Sequence, residues 1–313
     1  MFLKVLINVL LMLVYMAIGF VLCKARKVDV NHSKSLSSIL VYVLSPAMII
    51  NSFIQMEYAN ETLVDILKFF FITLIIQLLF FGIIFLIVRK KFVDAKYRIL
   101  NAAAVLGNVG FFGLPLITSL FPDNNIVACY SSIYVMSMNL LVFTIGVFMI
   151  TNDKKYISVK SAILNPTTLS ILVALPLFIF NIDFPSVIDN TLGLLAKMVT
   201  PMCMFILGIR LGVSNIKSLL TRPFVYITCL LKLVVFPLFA YLCVYFIPGL
   251  SDMFKISVFV LSAAPTGAII VSLAEMYGLE QELSANVVLL TTILSIITLP
   301  LLLLIIWCGN NYY

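Results

Sequence analysis

Gly107-Asn108-Val109-Gly110-Phe111-Phe112-Gly113-Leu114-Pro115 decides how this chain folds. The stretch lies inside an apolar segment, residues 99–121, long enough to cross a bilayer. Yet its nine residues include three glycines, a proline and an amide. Relative to alanine, glycine costs a helix interior roughly 1 kcal/mol and proline roughly 3 kcal/mol. A segment that only spans lipid avoids that cost. Irregular backbone at membrane depth is tolerated where it is buried in protein or lines a wet cavity. The stretch therefore predicts a broken helix at a polar site. A plainer reading stays open, in which Gly107 and Gly110 only let neighbouring helices approach closely.

The surrounding composition sets the class. Of 313 residues, 63% are hydrophobic and 11% charged. Soluble domains are about 45–50% apolar and about 25% charged, so this is an all-α integral membrane protein. The net charge of +7 comes from short loops between apolar spans. That is a topology signal, not a nucleic-acid surface. The six cysteines form no CxxC grouping, and the only histidine, His32, sits in a basic loop. Zinc ligation, a disulfide framework and a Ser-His-Asp triad are all unsupported. No enzyme, no cofactor and no metal are expected. The N-terminal apolar stretch lacks an A-x-A-like cleavage site, so it reads as the first membrane helix.

Ten apolar spans can be marked, near residues 5–23, 37–54, 67–88, 99–121, 126–150, 168–182, 192–211, 224–247, 254–277 and 283–307. The connections after odd-numbered spans carry fifteen Lys and Arg, from Lys24 to Lys217 and Arg222. The N-terminus and the even connections carry three, Lys4, Lys68 and Lys255. The bias predicts a multi-pass plasma-membrane protein with both termini outside.

The two halves correspond. Pro46 and Pro201 are 155 residues apart, and Gly107 and Ala264 are 157 apart. Five spans per half is an odd number, so the second half enters from the opposite side. Residues 1–156 and 157–313 read as two inverted five-helix repeats. The counterpart of the opening stretch is Ala264-Pro265-Thr266-Gly267. Interrupted segments at corresponding positions are the best sequence-level pointer to a transporter site.

These residues carry a resemblance. Residues 107–116 resemble the GNxGFxGLPL signature of the auxin efflux carrier family, with its PIN-like and bacterial organic-anion branches. Ala264-Pro265-Thr266-Gly267 followed by Tyr277-Gly278 is similar to that family's second-half pattern, as are Leu44-Ser45-Pro46-Ala47, Pro201 to Gly208, and Lys232-Leu233 with Pro237. The resemblance implies ten transmembrane helices like those of bile acid transporters and sodium–proton antiporters. It implies a panel of helices 1, 2, 6 and 7, and a transport domain of helices 3–5 and 8–10 in which broken helices 4 and 9 cross. It implies transport of weak-acid anions such as auxin, malate or malonate. Asn108 matches the first of two asparagines found at the crossing in plant members. Thr266-Gly267 stands where the second would be.

The expected site is then Asn108 with Gly107, Val109, Gly110 and Pro115, facing Pro265, Thr266 and Gly267. Asn51, five residues after Pro46, is expected to face it from span 2. Lys232, inside span 8, either attracts the anion or snorkels to the cytoplasmic side. Lys197 and Glu275 read as interfacial. Ser45 and Ser132 are further polar residues in spans. Gln77 and Asn139 read as helix–helix glue, and Tyr130 and Tyr134 as packing. The partners expected are a small organic anion, the lipid bilayer and a second copy in a homodimer, with no nucleic acid. The function expected is a secondary transporter, with proton coupling ranked above sodium. The alternatives are a non-transporting sensor or scaffold of the same fold, and a sodium-coupled organic-anion symporter.

Overall fold

The computed structural model describes residues 2–56, 58–122, 124–213 and 223–310. Among these the chain is helical, with no strand and one isolated two-residue bridge. Seven helices are long and apolar enough to cross a membrane: Asn31–Ile54, Asn60–Lys91, Asn125–Thr151, Lys154–Ile179, Ser186–Val213, Pro223–Tyr245 and Gln281–Leu304. Leu10–Lys24 and Val109–Leu120 are shorter apolar helices. The loop charges Lys217 and Arg222 lie outside the described residues.

Local chemistry explains where helices begin. Asn165 caps Pro166–Ile179, accepting from the backbone N–H of Thr167 at 2.9 Å and of Thr168 at 3.3 Å. Pro166 then takes the first position, where its missing donor costs nothing. Asp94 caps Ala95–Val105 through the N–H of Lys96, and Ser251 caps Asp252–Ser262 through Phe254. Asp94 also pairs with the Lys96 ammonium at 2.9 Å. That side-chain contact, with the backbone bond, holds its carboxyl below the usual carboxylate range.

Prolines mark a second regularity. Three of the four described π turns, Leu40–Leu44, Val109–Gly113 and Leu231–Val235, lead into a helix whose second residue is proline, Pro46, Pro115 and Pro237; the fourth, Val142–Gly146, leads into Val147–Thr151 without one. A proline inside a helical run donates no hydrogen bond, and its ring crowds the carbonyl four residues back. Opening one turn from α to π relieves that crowding. Pro201, the partner of Pro46 in the repeat reading, instead sits inside the continuous helix Ser186–Val213.

The chain forms two compact units. The first comprises Met1–Phe69, Gly110–Met136 and Ile163–Ser214. Its core pairs the helix Phe2–Lys24 with Ser186–Val213 at backbone contact. A Cβ on Gly208 would fall on the Met16 carbonyl, and one on Gly19 on the Phe205 carbonyl. A Cβ on Gly212 would stand 2.7 Å from Cys23 Cβ. Gly208 and Gly212 are four residues apart, the spacing by which small residues let membrane helices meet. Phe53 and Tyr58 close on Phe178 edge to face, and Phe69 stacks on Tyr130 at 4.3 Å, so Tyr130 packs. Leu10, Val14, Ile18 and Val21 stay exposed along one side, as a lipid-facing helix requires.

The second unit comprises Phe70–Val109, Ser137–Ala162 and Asn215–Tyr313. Phe80 packs on Phe236 and Phe239 at 4.9 and 5.3 Å between ring centres. Gln77 donates to the Thr73 carbonyl at 3.1 Å and to Ser137 Oγ at 3.0 Å. It is glue between two segments, worth about 0.6 kcal/mol per such bond. Within this unit, two helices end facing each other.

Candidate functional site

The helix Ala95–Val105 stops at Leu106, and the chain resumes as Val109–Leu120. The helix Asp252–Ser262 stops at Ala263, and the chain resumes as Ile269–Met276. Between the stops, Gly107 pairs with Thr266 in an antiparallel bridge. The Asn108 N–H donates to the Pro265 carbonyl at 2.6 Å, and the Gly267 N–H to the Leu106 carbonyl at 2.9 Å. Each break thus satisfies backbone groups of the other, which makes irregular backbone affordable at membrane depth. Gly267 is required by closeness: a Cβ there would stand 2.9 Å from the Gly107 carbonyl oxygen.

Side chains complete the junction. Thr266 is fully buried, and its hydroxyl donates to the Ala103 carbonyl at 3.0 Å. Its own N–H donates to Thr291 Oγ1 at 3.1 Å. The Lys232 ammonium is fully buried and donates to the carbonyls of Val105 at 3.1 Å and Ser262 at 3.0 Å. The Phe236 ring lies 4.6 Å from it. Among the described residues, no carboxylate pairs with Lys232. A Cβ on Gly107 would stand 3.0 Å from the same nitrogen.

Asn108 differs from all of these. It is 6% exposed, and its side-chain amide has no hydrogen-bond partner among the described residues. Its amide oxygen and nitrogen are not among the sealed, unpartnered polar atoms, so both keep some contact with solvent. Here a donor and an acceptor are held beside the start of the helical run Val109–Leu120 with nothing spent on them. The N-terminal end of a helix carries partial positive charge and free N–H groups, which favour an anion.

The sequence profile of a family described as Membrane transport protein matches residues 4–161 and 155–303, nearly the whole chain. The chain belongs to the auxin efflux carrier family. This transporter is 25% identical over 302 residues to an uncharacterized transporter of Methanocaldococcus jannaschii, covering 94% of this chain and 96% of that one. It is 24% identical over 299 residues to an uncharacterized transporter of Methanothermobacter thermautotrophicus, with the same coverage. It is a multi-pass membrane transporter of a small molecule, working in a lipid bilayer, and not an enzyme.

The structure brings together Gly107, Asn108, Val109, Pro265, Thr266, Gly267 and Lys232 of this auxin efflux carrier relative, all in the second unit. Gly110, Pro115 and Asn51 belong to the first unit. There Gly110 borders a cavity of about 30 Å³ with Ser45, Met48, Leu114, Ser132 and Thr167, room for about one water. Pro115 is buried, and Asn51 is half-buried with its Oδ1 near Gly193. Lys197 and Glu275 are exposed, and Lys232 is not. Buried Lys232 does not snorkel, because two helix ends hold it inside.

Two contributors escape a reading of the transporter's sequence. Thr291 receives the Thr266 N–H; its only signal is the doublet Thr291-Thr292 inside an otherwise apolar span. The carbonyls of Ala103, Val105 and Ser262 carry no signal at all, since any residue type supplies a carbonyl.

Proposed function

We propose that this protein is a secondary transporter that moves a small weak-acid organic anion, a mono- or dicarboxylate, across the plasma membrane by alternating access. The observation that carries the reading is Asn108, an unspent amide nine-tenths buried at a helix break. A carboxylate arriving there accepts from the amide and from N–H groups at the start of Val109–Leu120. Lys232, committed to two carbonyls, adds positive field without giving up its bonds. Gly107, Val109, Pro265, Thr266 and Gly267 shape the backbone of the site.

The architecture we propose is ten helices in two inverted repeats, residues 1–156 and 157–313. The breaks at corresponding positions, and their mutual hydrogen bonding, support it. The compact unit that holds spans 1, 2, 6 and 7 also takes in Gly110–Met136 of spans 4 and 5, so the division into a four-helix panel and a transport domain rests on the resemblance alone. Both termini lie outside, following the loop charges. Proton coupling ranks above sodium, because the second break offers only Thr266 and backbone oxygens, and the Thr266 hydroxyl is already engaged.

The test is a thermal-shift screen of purified protein against mono- and dicarboxylates at two pH values. A ligand that binds only the folded state raises apparent stability by mass action. Stabilisation by a carboxylate, lost in Asn108→Ala, is expected. A carboxylate that stabilises both proteins equally removes Asn108 from the site. Saturable binding without flux in proteoliposomes favours a sensor of the same fold.

A further inference from the structure

We propose that Lys232 is a positioning residue: its ammonium ties together the carbonyl ends of the two half-helices and holds the paired breaks in register. The tie concerns the junction alone and stands whatever the cargo is.

The helices Ala95–Val105 and Asp252–Ser262 both end at the junction, so two negative dipole ends meet there. Each is equivalent to about half an elementary charge. Bringing them together in a dry interior costs energy unless a cation sits between them. Lys232 is that cation. One nitrogen donates to the last carbonyl of each helix, Val105 and Ser262. The two bonds bridge sequence separations of 127 and 30 residues. An ammonium has three donors and no acceptor, and the Phe236 ring faces the same nitrogen. A buried membrane lysine otherwise finds a carboxylate partner or a water-filled cavity. This one has neither a described carboxylate nor any exposure.

The surroundings are built for it. Gly107 leaves open the space that the ammonium fills, for a Cβ there would stand 3.0 Å from Nζ. Lys232 itself lies in the π turn Leu231–Val235, ahead of Pro237. A substrate ligand, by contrast, needs a free donor aimed into an accessible space. The unspent group at the junction is Asn108. Lys232 thus sets the geometry in which Asn108 is presented and does not itself grip the anion.

Hydrogen exchange of the whole protein in detergent, followed by mass spectrometry, tests the tie without any substrate. The reporting segments are 103–110 and 260–268, which hold the cross bonds of Asn108 and Gly267. In Lys232→Met, exchange is expected to rise by roughly tenfold or more in both segments, given that bonds from charged groups are the stronger kind. No rise, or a rise in one segment only, overturns the proposal. Lys232→Ala is then exposed to ethylammonium, which can donate to both carbonyls, and to tetramethylammonium, which cannot. Recovery of slow exchange in both segments with ethylammonium alone is expected. Equal effects of the two cations, or no recovery with either, count against the tie. If the lysine variants do not fold, Phe236→Leu decides. It keeps the lysine and removes the ring beside it. A smaller rise in both segments is expected, and unchanged exchange overturns the proposal.

Discussion

Replacing Gly267 with alanine should cost more than any other single methyl group added at the junction. The ideal Cβ stands 2.9 Å from the Gly107 carbonyl oxygen and 3.2 Å from its carbon. Non-bonded heavy atoms prefer roughly 3.5 Å or more, so the breaks must part by about half an ångström. Both neighbours are backbone, and backbone cannot rotate away. Such overpacking costs about 1–3 kcal/mol. The same movement stretches the Gly267-to-Leu106 and Asn108-to-Pro265 bonds and forfeits about half of the roughly 1 kcal/mol that each is worth. The total is about 2–4 kcal/mol, or roughly 4–8 °C in apparent melting temperature at about 2 °C per kcal/mol. Gly107→Ala is the matched comparison. Its Cβ would meet first the Lys232 ammonium at 3.0 Å, the movable end of a flexible side chain, and then the Ala264 oxygen at 3.4 Å. Its loss should be smaller, about 1 kcal/mol. The assay is thermal unfolding in one detergent with a thiol-reactive dye that reports the buried cysteines. A Gly267→Ala protein that melts with the wild type, or above Gly107→Ala, refutes the close approach of the two breaks.

Asn108→Ala should leave the unliganded melting temperature nearly unchanged, because the amide has no partner to lose among the described residues. It should weaken carboxylate binding roughly tenfold to a hundredfold, the worth of a hydrogen bond to a charged group, and titration by thermal shift measures this. Gly208→Ala should destabilise the first unit by about 2 kcal/mol or more, since its Cβ falls on the Met16 carbonyl. Helix content and melting temperature report it, and a neutral result breaks the proposed helix pairing. Asp94→Ala removes an N-cap and should cost about 1 kcal/mol at neutral pH. The sign with pH follows from the depressed carboxyl. The stabilisation is full above its ordinary value of 3.8 and is lost as pH falls through the lower folded value. The gap between wild type and variant should therefore close in acid, and a gap that widens there contradicts the pairing with Lys96.

The breaks were legible because glycine and proline carry their backbone consequences with them. Gly107, Pro265 and Gly267 had to interrupt helices, and they do. The helix entry at Asn165-Pro166 was legible for the same reason. What the breaks bond to was not legible. Lys232 in span 8 looks the same in sequence whether it snorkels, grips a substrate or ties two carbonyls. Only folding brings it to Val105, 127 residues away. Thr266 reads as a ligand, yet its hydroxyl is spent on Ala103. The composition of the two compact units was equally hidden. One division falls between Val109 and Gly110, inside the motif that looks most like a single element.

The backbone contact between the first helix and Ser186–Val213 bears on how the chain is made. Gly19 meets Phe205, and Gly208 meets Met16, with about 190 residues of chain between the partners. At ribosomal speeds of about 5–20 residues per second, the first helix waits roughly 10–40 seconds for its partner to be synthesised. During that interval its glycine face is open to lipid and to any other small-residue helix in the membrane. The first unit therefore closes late, after most of the chain has already been inserted.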